Sequence, residues 1–518
     1  MRRLRMAAGA LLGAFLLTAA VTQDVTGSAA ARAQTTPIHH VVVLYLENHT
    51  FDNVLGYWCD QHPGRCLGMP SQVTLSDGTV VTPGVTPDKV PAMDHSTSAQ
   101  REAVNGGLMN GWQKIKGCGA ATGYACISGY KPSAIPNLTR LAQNFTVSDH
   151  TFSMAQSPSF GGHLYAVMAS LDGFTGENPS PIAGGFDPGW GCDSNLTTTW
   201  RAPGGKLQLV PSCVPDPSLR LPNGGAFEPT PVRYAPTIMD RLSAAGLTWR
   251  IYSSHYGEHG YGWAICPSFA ECLDTNQVNS EVEASQFVTD ANSGHLPNFS
   301  IITPGGVDVM NSQHNDTSML AGDNWIGQIA SAVMNGPEWS STALFITYDD
   351  CGCFYDQVPP RLNPDGTREG PRVPLVIVSP YARPRYTDST PTTFNGILAY
   401  VEQNFRLTSL GVNDAAAYPF TNAFNYLQVP LGPVHGQEPA ATWCPASPKQ
   451  GPVERPNLRR RSALRTSTQI CRFSFRSSAS RAPGSRGVPR AMTSSGRPPQ
   501  SARKRECCTA TRRSSPSR

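Results

Sequence analysis

The chain has 518 residues, 39% of them hydrophobic, which suffices for one large α/β domain with insertions and by itself excludes no function class. Its net charge of +4 conceals a split: from about residue 452 the chain carries about 17 basic and 2 acidic residues, whereas the body between the N-terminal leader and this tail sums to roughly −14. An acidic body offers no electrostatic attraction to anionic lipid, which leaves zwitterionic and anionic surfaces equally open, and the basic tail lacks the interleaved aromatics of a nucleic-acid module, so nucleic acid is not expected.

Taken in chain order, MRRLRM is followed by AAGALLGAFLLTAAV and then by small residues at Ala31 to Ala33. That order predicts a secretory signal over 1–33, an exported or cell-envelope protein, and no stable membrane span. In an oxidising compartment the close cysteines Cys59/Cys66, Cys118/Cys126, Cys192/Cys213 and Cys266/Cys272 read as local disulfides, though spacing leaves connectivity open. Cys351 and Cys353 flank one glycine among oxygen donors, which argues against a zinc-thiolate site there.

HHVVVLYLENHTFDN (39–53) is an apolar, largely β-branched run that stops at Glu47 and Asn48. A Gly, Pro and Asp rich stretch to about residue 90 reads as loop; in the segment 93–112 Asp94 is placed to cap a helix, with His95 near its start. A helix is expected in IPNLTRLAQNF (135–145), a buried helix in HLYAVMAS (163–170), and an irregular lobe over 175–235. APTIMDRLSAAGLTWRIYS (235–253) reads as helix then strand, NFSIITP (298–304) as strand, GDNWIGQIASAVMNG (322–336) as helix, ALFITYDD (343–350) and VPLVIVSP (373–380) as strands, and FNGILAYVEQNF (394–405) as the last helix. Such alternation predicts a mostly parallel, helix-covered sheet, an α/β/α sandwich with irregular disulfide-bearing insertions, over 34–435. The Arg, Ser and Pro rich segment 436–518 is expected to lack a packed core.

ALFITYDD repeats the build of the first motif: an apolar strand ending in adjacent oxygen donors, here Asp349 and Asp350. Buried parallel strands expose ligand sites at their carboxyl ends, so Glu47, Asn48, Asp349 and Asp350 should gather around one divalent cation, with Ca, Mg, Mn and Zn all open. Ser159, between Pro158 and Gly161–Gly162 at a helix start, is placed either to cap that helix or to act as a metal-activated nucleophile beside an anion. His95 and His314 are the further catalytic candidates; His163, His255 and His259 carry weaker signals. A serine lipase is excluded by the lack of any GxSxG.

Several segments in order, ENHTFDNVLG, DHS with NGGLMNGW, IPNLTRLAQNFTVSDHTFS, SPSFGGHLY, the His314 loop, TYDDCGCFYDQVPP and GPRVPLVIVSPYAR, resemble the signatures of the bacterial phosphoesterase family, which includes secreted phospholipases C and acid phosphatases. The resemblance runs from about residue 37 to about residue 410. It implies an alkaline-phosphatase-like fold and a metal held by Glu47, Asn48, Asp349 and Asp350. It also implies Ser159 as the nucleophile, with His95 and His314 lining the phosphate site. The chain departs from the pattern at Cys351 and Cys353 (commonly glycine), Gln357 (commonly histidine) and Asn110 (frequently aspartate), and TPTTFNGIL lacks a histidine common ahead of the last helix. The reading is a secreted metal-dependent phosphoesterase acting on a phosphate ester, in the first instance a phospholipid headgroup in phospholipase C fashion. An acid phosphatase, another phosphodiesterase, or an inactive exported binding protein on the same scaffold are the alternatives.

Overall fold

Long apolar runs flanked by helix signals assemble into a sheet whose strands are covered on both faces. The computed structural model describes residues 36–180, 189–194, 196–219, 230–305 and 311–434; the leader expected over 1–33 and the tail expected over 436–518 lie outside the described residues. The central sheet contains β1 (His40–Leu46), β2 (Thr146–Ser148), β3 (Trp249–Ser253), β4 (Glu281–Glu283), β5 (Phe299–Ile302), β6 (Thr342–Tyr348), β7 (Leu375–Val378) and β8 (Tyr386–Asp388). Their spatial order is β4-β3-β5-β1-β6-β7-β2-β8, with β7 alone antiparallel to its neighbours.

Eight helices matter for the layers: α1 (Phe51–Gln61), α2 (Thr97–Val104), α3 (Pro136–Asn144), α4 (Ser159–Met168), α5 (Ile238–Ala244), α6 (Gln286–Ser293), α7 (Met319–Asn335) and α8 (Asn395–Phe405). Helix α7 packs against α3 and α6 in one layer, and α4 packs against α5 and α8 in another. Every residue of β6, and all of β1 after His40, is buried, as a sheet sandwiched between two helical layers requires. The expected mostly parallel α/β architecture is therefore the observed one, as are the four expected disulfides, Cys59–Cys66, Cys118–Cys126, Cys192–Cys213 and Cys266–Cys272.

Three local readings differ. The stretch after the first motif is not all loop, because Thr50 caps α1 by accepting from Asn53 N, and Phe51, Val54, Leu55 and Trp58 bury one face of that helix. Ser96, rather than Asp94, caps α2 by accepting from Ala99 N; Asp94 instead accepts from Ser96 N and shapes the turn before the cap. The irregular lobe contains a hairpin, Thr197–Arg201 paired with Leu207–Pro211.

Candidate active site

Register brings the two motif ends together. Strands β1 and β6 pair in parallel from His40↔Thr342 to Leu46↔Tyr348, so Glu47 and Asp349 follow side by side at the carboxyl edge, with Asp349 N donating to Leu46 O at 3.0 Å. Asn48 then takes a left-handed conformation (φ 61°) that turns the chain toward α1, and its N–H donates to Asp349 Oδ1 at 2.8 Å. Gly352 (φ 53°) permits the matching turn after Asp350; a side chain there would collide with Asn48 O.

Helix α4 delivers the serine. Pro158 occupies the cap position and Ser159 is the first helical residue, so the capping role open from sequence is not what Ser159 does. Its Oγ lies 3.0 Å from Glu47 Oε2 and 3.3 Å from Asn48 Oδ1, in a site where Ser159 is 1% exposed. The adjacent glycines serve the protein rather than a ligand: a Cβ at Gly161 would run into Ser157 and Gly176, and one at Gly162 would press on the Asp349 backbone at 3.1 Å. The free helix N-terminus expected to cradle an anion is largely occupied, since Phe160 N donates to Asn178 Oδ1 (2.9 Å) and Gly161 N to Gly176 O (3.2 Å).

One end of the Asn48 amide lies 2.8 Å from Asp350 Oδ2 and 3.2 Å from oxygens of both Asp349 and Asp350, while the other lies 2.9 Å from His314 Nε2. The His314 ring is fixed by its Nδ1, 3.3 Å from Asn315 O, and stacks edge-on with His95 at 5.7 Å between centroids. A carbonyl only accepts, so Nδ1 carries the proton and His314 Nε2 can accept from the Asn48 NH2, which turns the amide oxygen toward the carboxylates and Ser159. Buried acceptors facing one another in this way need a proton or a cation between them, and the oxygen set suits a hard divalent ion. The other orientation of the amide donates to the carboxylates and has its oxygen accept from His314 Nε2, which then carries a proton.

Sequence reading ranked His163 low, yet it belongs to this cluster. One helical turn after Ser159, its Nε2 lies 3.1 Å from Glu47 Oε1 and 3.9 Å from Asp349 Oδ2, while its Nδ1 is 3.0 Å from Trp263 O. The Ser-x-x-x-His spacing at i and i+4 was the signal available. Of the other two, His255 pairs with Glu283 at 2.9 Å, and His259 lines the same cavity as Ser159 without a contact to the oxygen cluster. Gln357 donates to Asp52 Oδ2 (3.0 Å) and Gly68 O (2.8 Å), so it supports the scaffold, and the Asn110 side chain accepts from Asn105 Nδ2. Cys351 and Cys353 are buried thiols with sulfurs 4.0 Å apart.

Burial pushes Glu47 up to about 8 and Asp349 up to about 7, and it raises Asp350 well above the carboxylate range, with neighbouring carboxylates adding to the shift in Asp349 and Asp350. Such groups hold protons in the folded state that the unfolded chain has already released, so their contribution to stability is complete below the unfolded values and is lost as pH rises toward 8. In chelator-treated protein we therefore expect Tm to fall between pH 5 and pH 8, with an added divalent ion restoring most of the loss at pH 8. Differential scanning fluorimetry reads both; a flat profile refutes the acceptor-cage description.

Ser159 and His314 line a cavity of about 500 Å³ walled by Trp190, Tyr261, Trp263 and Glu258. A second cavity of about 580 Å³ holds His95, Lys116, Met93 and Glu177, and both are bordered by Asn178. Pro158 lines the second cavity and Ser159 the first, so the two limbs flank the start of α4.

A buried acidic cluster at the strand edge of a helix-covered sheet defines the architecture as α/β with a candidate site at the carboxyl edge, and sequence comparison supplies the family. The Phosphoesterase family model matches residues 38–408, and the chain belongs to that family. Non-specific phospholipase C1 of Arabidopsis thaliana is 27% identical over 380 residues, covering 67% of this chain and 61% of the relative. Non-hemolytic phospholipase C of Pseudomonas aeruginosa is 24% identical over 487 residues, covering 82% and 63%. The chain thus spans about three fifths of the length of these relatives. A solved protein of the alkaline phosphatase superfamily from Vibrio parahaemolyticus matches at 13% identity with a TM-score of 0.28 over 53% of this chain and 61% of its own, too slight to argue from.

Proposed function

We propose that the protein is an exported, metal-dependent phosphoesterase that cleaves phosphodiesters in phospholipase C fashion, with Ser159 as nucleophile and Glu47, Asn48, Asp349 and Asp350 holding the metal. The observation that carries the reading is the Ser159 hydroxyl set 3.0 Å from Glu47 inside a ring of buried oxygen acceptors. A divalent ion bound there would supply the charge that acidifies the serine hydroxyl and neutralises phosphate oxygens. Glu47 Oε2 is placed to receive the serine proton. Ser159 Oγ attacks phosphorus, the bond from phosphorus to the leaving alcohol breaks, and that oxygen takes up a proton as it departs. Water then hydrolyses the phosphoseryl ester, and His95 and His314 border the position where the phosphate oxygens would lie.

The two limbs favour a diester over a simple monoester. Trp190, Tyr261 and Trp263 with Glu258 form a wall suited to a cationic headgroup, through ring faces and a carboxylate. The other limb, with Met93, Ala92 and Pro158, offers an apolar path for a second substituent. Four disulfides support an oxidising compartment, and no helix among the described residues is long and apolar enough to cross a membrane.

Purified protein should release phosphocholine from phosphatidylcholine vesicles, lose that activity to a chelator, and recover it with a divalent ion. It should hydrolyse p-nitrophenyl phosphate at least about tenfold less efficiently, as expected when an unfilled limb forfeits binding energy. A preference for the monoester establishes the acid phosphatase alternative. No turnover of any ester with metal present establishes an inactive binding protein.

A further inference from the structure

The Glu47 carboxylate has two faces, and the oxygen ring uses only one of them. Oε2 faces Ser159, while Oε1 faces His163 Nε2 at 3.1 Å; Asp349 likewise offers Oδ1 to Asn48 N and Oδ2 toward His163 at 3.9 Å. His163 is 3% exposed and its orientation is fixed: Nδ1 is 3.0 Å from Trp263 O, and the ring lies 5.2 Å from Tyr45 and 6.4 Å from Trp190. The Tyr45 hydroxyl donates to Gly162 O, which fixes the turn of α4 that bears the imidazole.

A neutral imidazole has one ring proton, and a backbone carbonyl can only accept. The contact with Trp263 O therefore assigns that proton to Nδ1 and leaves Nε2 with a bare lone pair aimed at two carboxylate oxygens. Three such atoms are satisfied only by a shared proton or by a cation set between them. The arrangement, Nδ1–H to a carbonyl with Nε2 turned inward, is the way proteins orient an imidazole to ligate a metal. The spacings agree: ligands about 2.1 Å from an ion stand about 3.0 Å apart at right angles and at most about 4.2 Å apart. His163 Nε2 stands 3.1 Å from Glu47 Oε1 and 3.9 Å from Asp349 Oδ2, both inside that limit.

We infer that His163 Nε2 is a metal ligand, with Glu47 and Asp349, which gives the centre a nitrogen donor and a preference for transition ions over Ca and Mg. This rests on the metal-dependent reading above and deepens it. An imidazole adds strength for zinc-type ions and little for calcium or magnesium, whose partners are oxygens.

The test uses wild-type protein, His163→Gln and His314→Gln. Pulsed electron paramagnetic resonance of wild-type protein loaded with Mn(II) should show coupling to a directly bound ¹⁴N nucleus. The coupling should vanish in His163→Gln and persist in His314→Gln, whose ring contacts the Asn48 amide rather than the carboxylate oxygens. Calorimetric titration with Zn(II) should show about tenfold or greater weakening in His163→Gln, and titration with Ca(II) less than about threefold. Circular dichroism and Tm of the variants establish that they fold, and a wild-type spectrum without nitrogen coupling overturns the assignment without any variant. Mn(II) bound without nitrogen coupling overturns the His163 assignment and leaves the metal-dependent reading standing. Failure of wild-type protein to bind any divalent ion sinks both.

Discussion

Ser159→Ala protein should fold, bind a divalent ion, and turn over phosphatidylcholine on the order of 10⁴-fold more slowly than wild type, or below detection. The substitution removes one oxygen from a buried position and leaves the rest of α4 intact, so Tm should change by no more than about 1 kcal/mol of stability would imply. Loss of the attacking atom removes the covalent route altogether, and in serine hydrolases losing the nucleophile costs as much as losing its whole group of partners. Rapid quenching of wild-type enzyme with phosphatidylcholine should give protein heavier by a phosphocholine group on a peptide containing Ser159, and the alanine variant should show none. Retention of more than about a tenth of wild-type kcat would mean that water, rather than Ser159, attacks phosphorus. Cysteine at this position would keep a nucleophile but lose the hydroxyl from the oxygen ring, so a partial activity that responds to thiophilic ions would further support the assignment.

How much of this was legible in the sequence depended on which physical signal each part leaves. Strands β1 and β6 were plain because burial on both faces demands an unbroken apolar run, and their ends were plain because Glu47, Asn48, Asp349 and Asp350 interrupt those runs abruptly. Their meeting followed from the rule that parallel strands present their carboxyl ends at one edge, and the register His40↔Thr342 to Leu46↔Tyr348 brings it about. The reversed direction of β7 was not legible, since an apolar run such as Leu375–Val378 reads the same in either orientation. Helix α1 was obscured by the turn-rich residues that follow it, although Thr50 and Asn53 carry a capping signal. The membership of His163 in the cluster was hidden because its ring is held by Trp263 O, a hundred residues away. Helix α4 was expected to lend its N–H groups to an anion, but the Asn178 side chain and the Gly176 carbonyl claim them, which no local pattern reveals. Residues that depart from the family pattern proved readable only in three dimensions: Gln357 serves Asp52, and Asp52 in turn serves Arg372.

Arg372 should be the most costly single residue to lose outside the site. It has no solvent exposure, and its guanidinium donates to Asp52 Oδ1 at 2.8 Å, Asp356 Oδ1 at 2.9 Å and Asp149 O at 2.8 Å while lying 4.7 Å over the Phe51 ring. Burial works against its charge, yet Asp356 and Asp52 raise its pKa further, so the group stays a cation at every pH the fold survives. Asp52 lies five residues after Glu47 and Asp356 six after Asp350, so this one cation ties together the two segments that carry the candidate site. Replacing it with methionine leaves two buried carboxylates without a counter-charge, a change that costs about 3–5 kcal/mol when one partner of a buried ion pair is removed. We expect Arg372→Met to lower Tm by roughly 10 °C. Below that transition it should also weaken divalent-ion affinity, because Glu47 and Asp349 lose the brace that holds their segments in register. The triple variant Asp52→Asn, Asp356→Asn, Arg372→Met removes charges and counter-charge together and should recover part of the lost stability, the non-additivity expected of residues acting as one unit. If Arg372→Met alone melts within about 2 °C of wild type, the cluster contributes little, and the alignment of the two strand ends must come from the β1–β6 ladder alone.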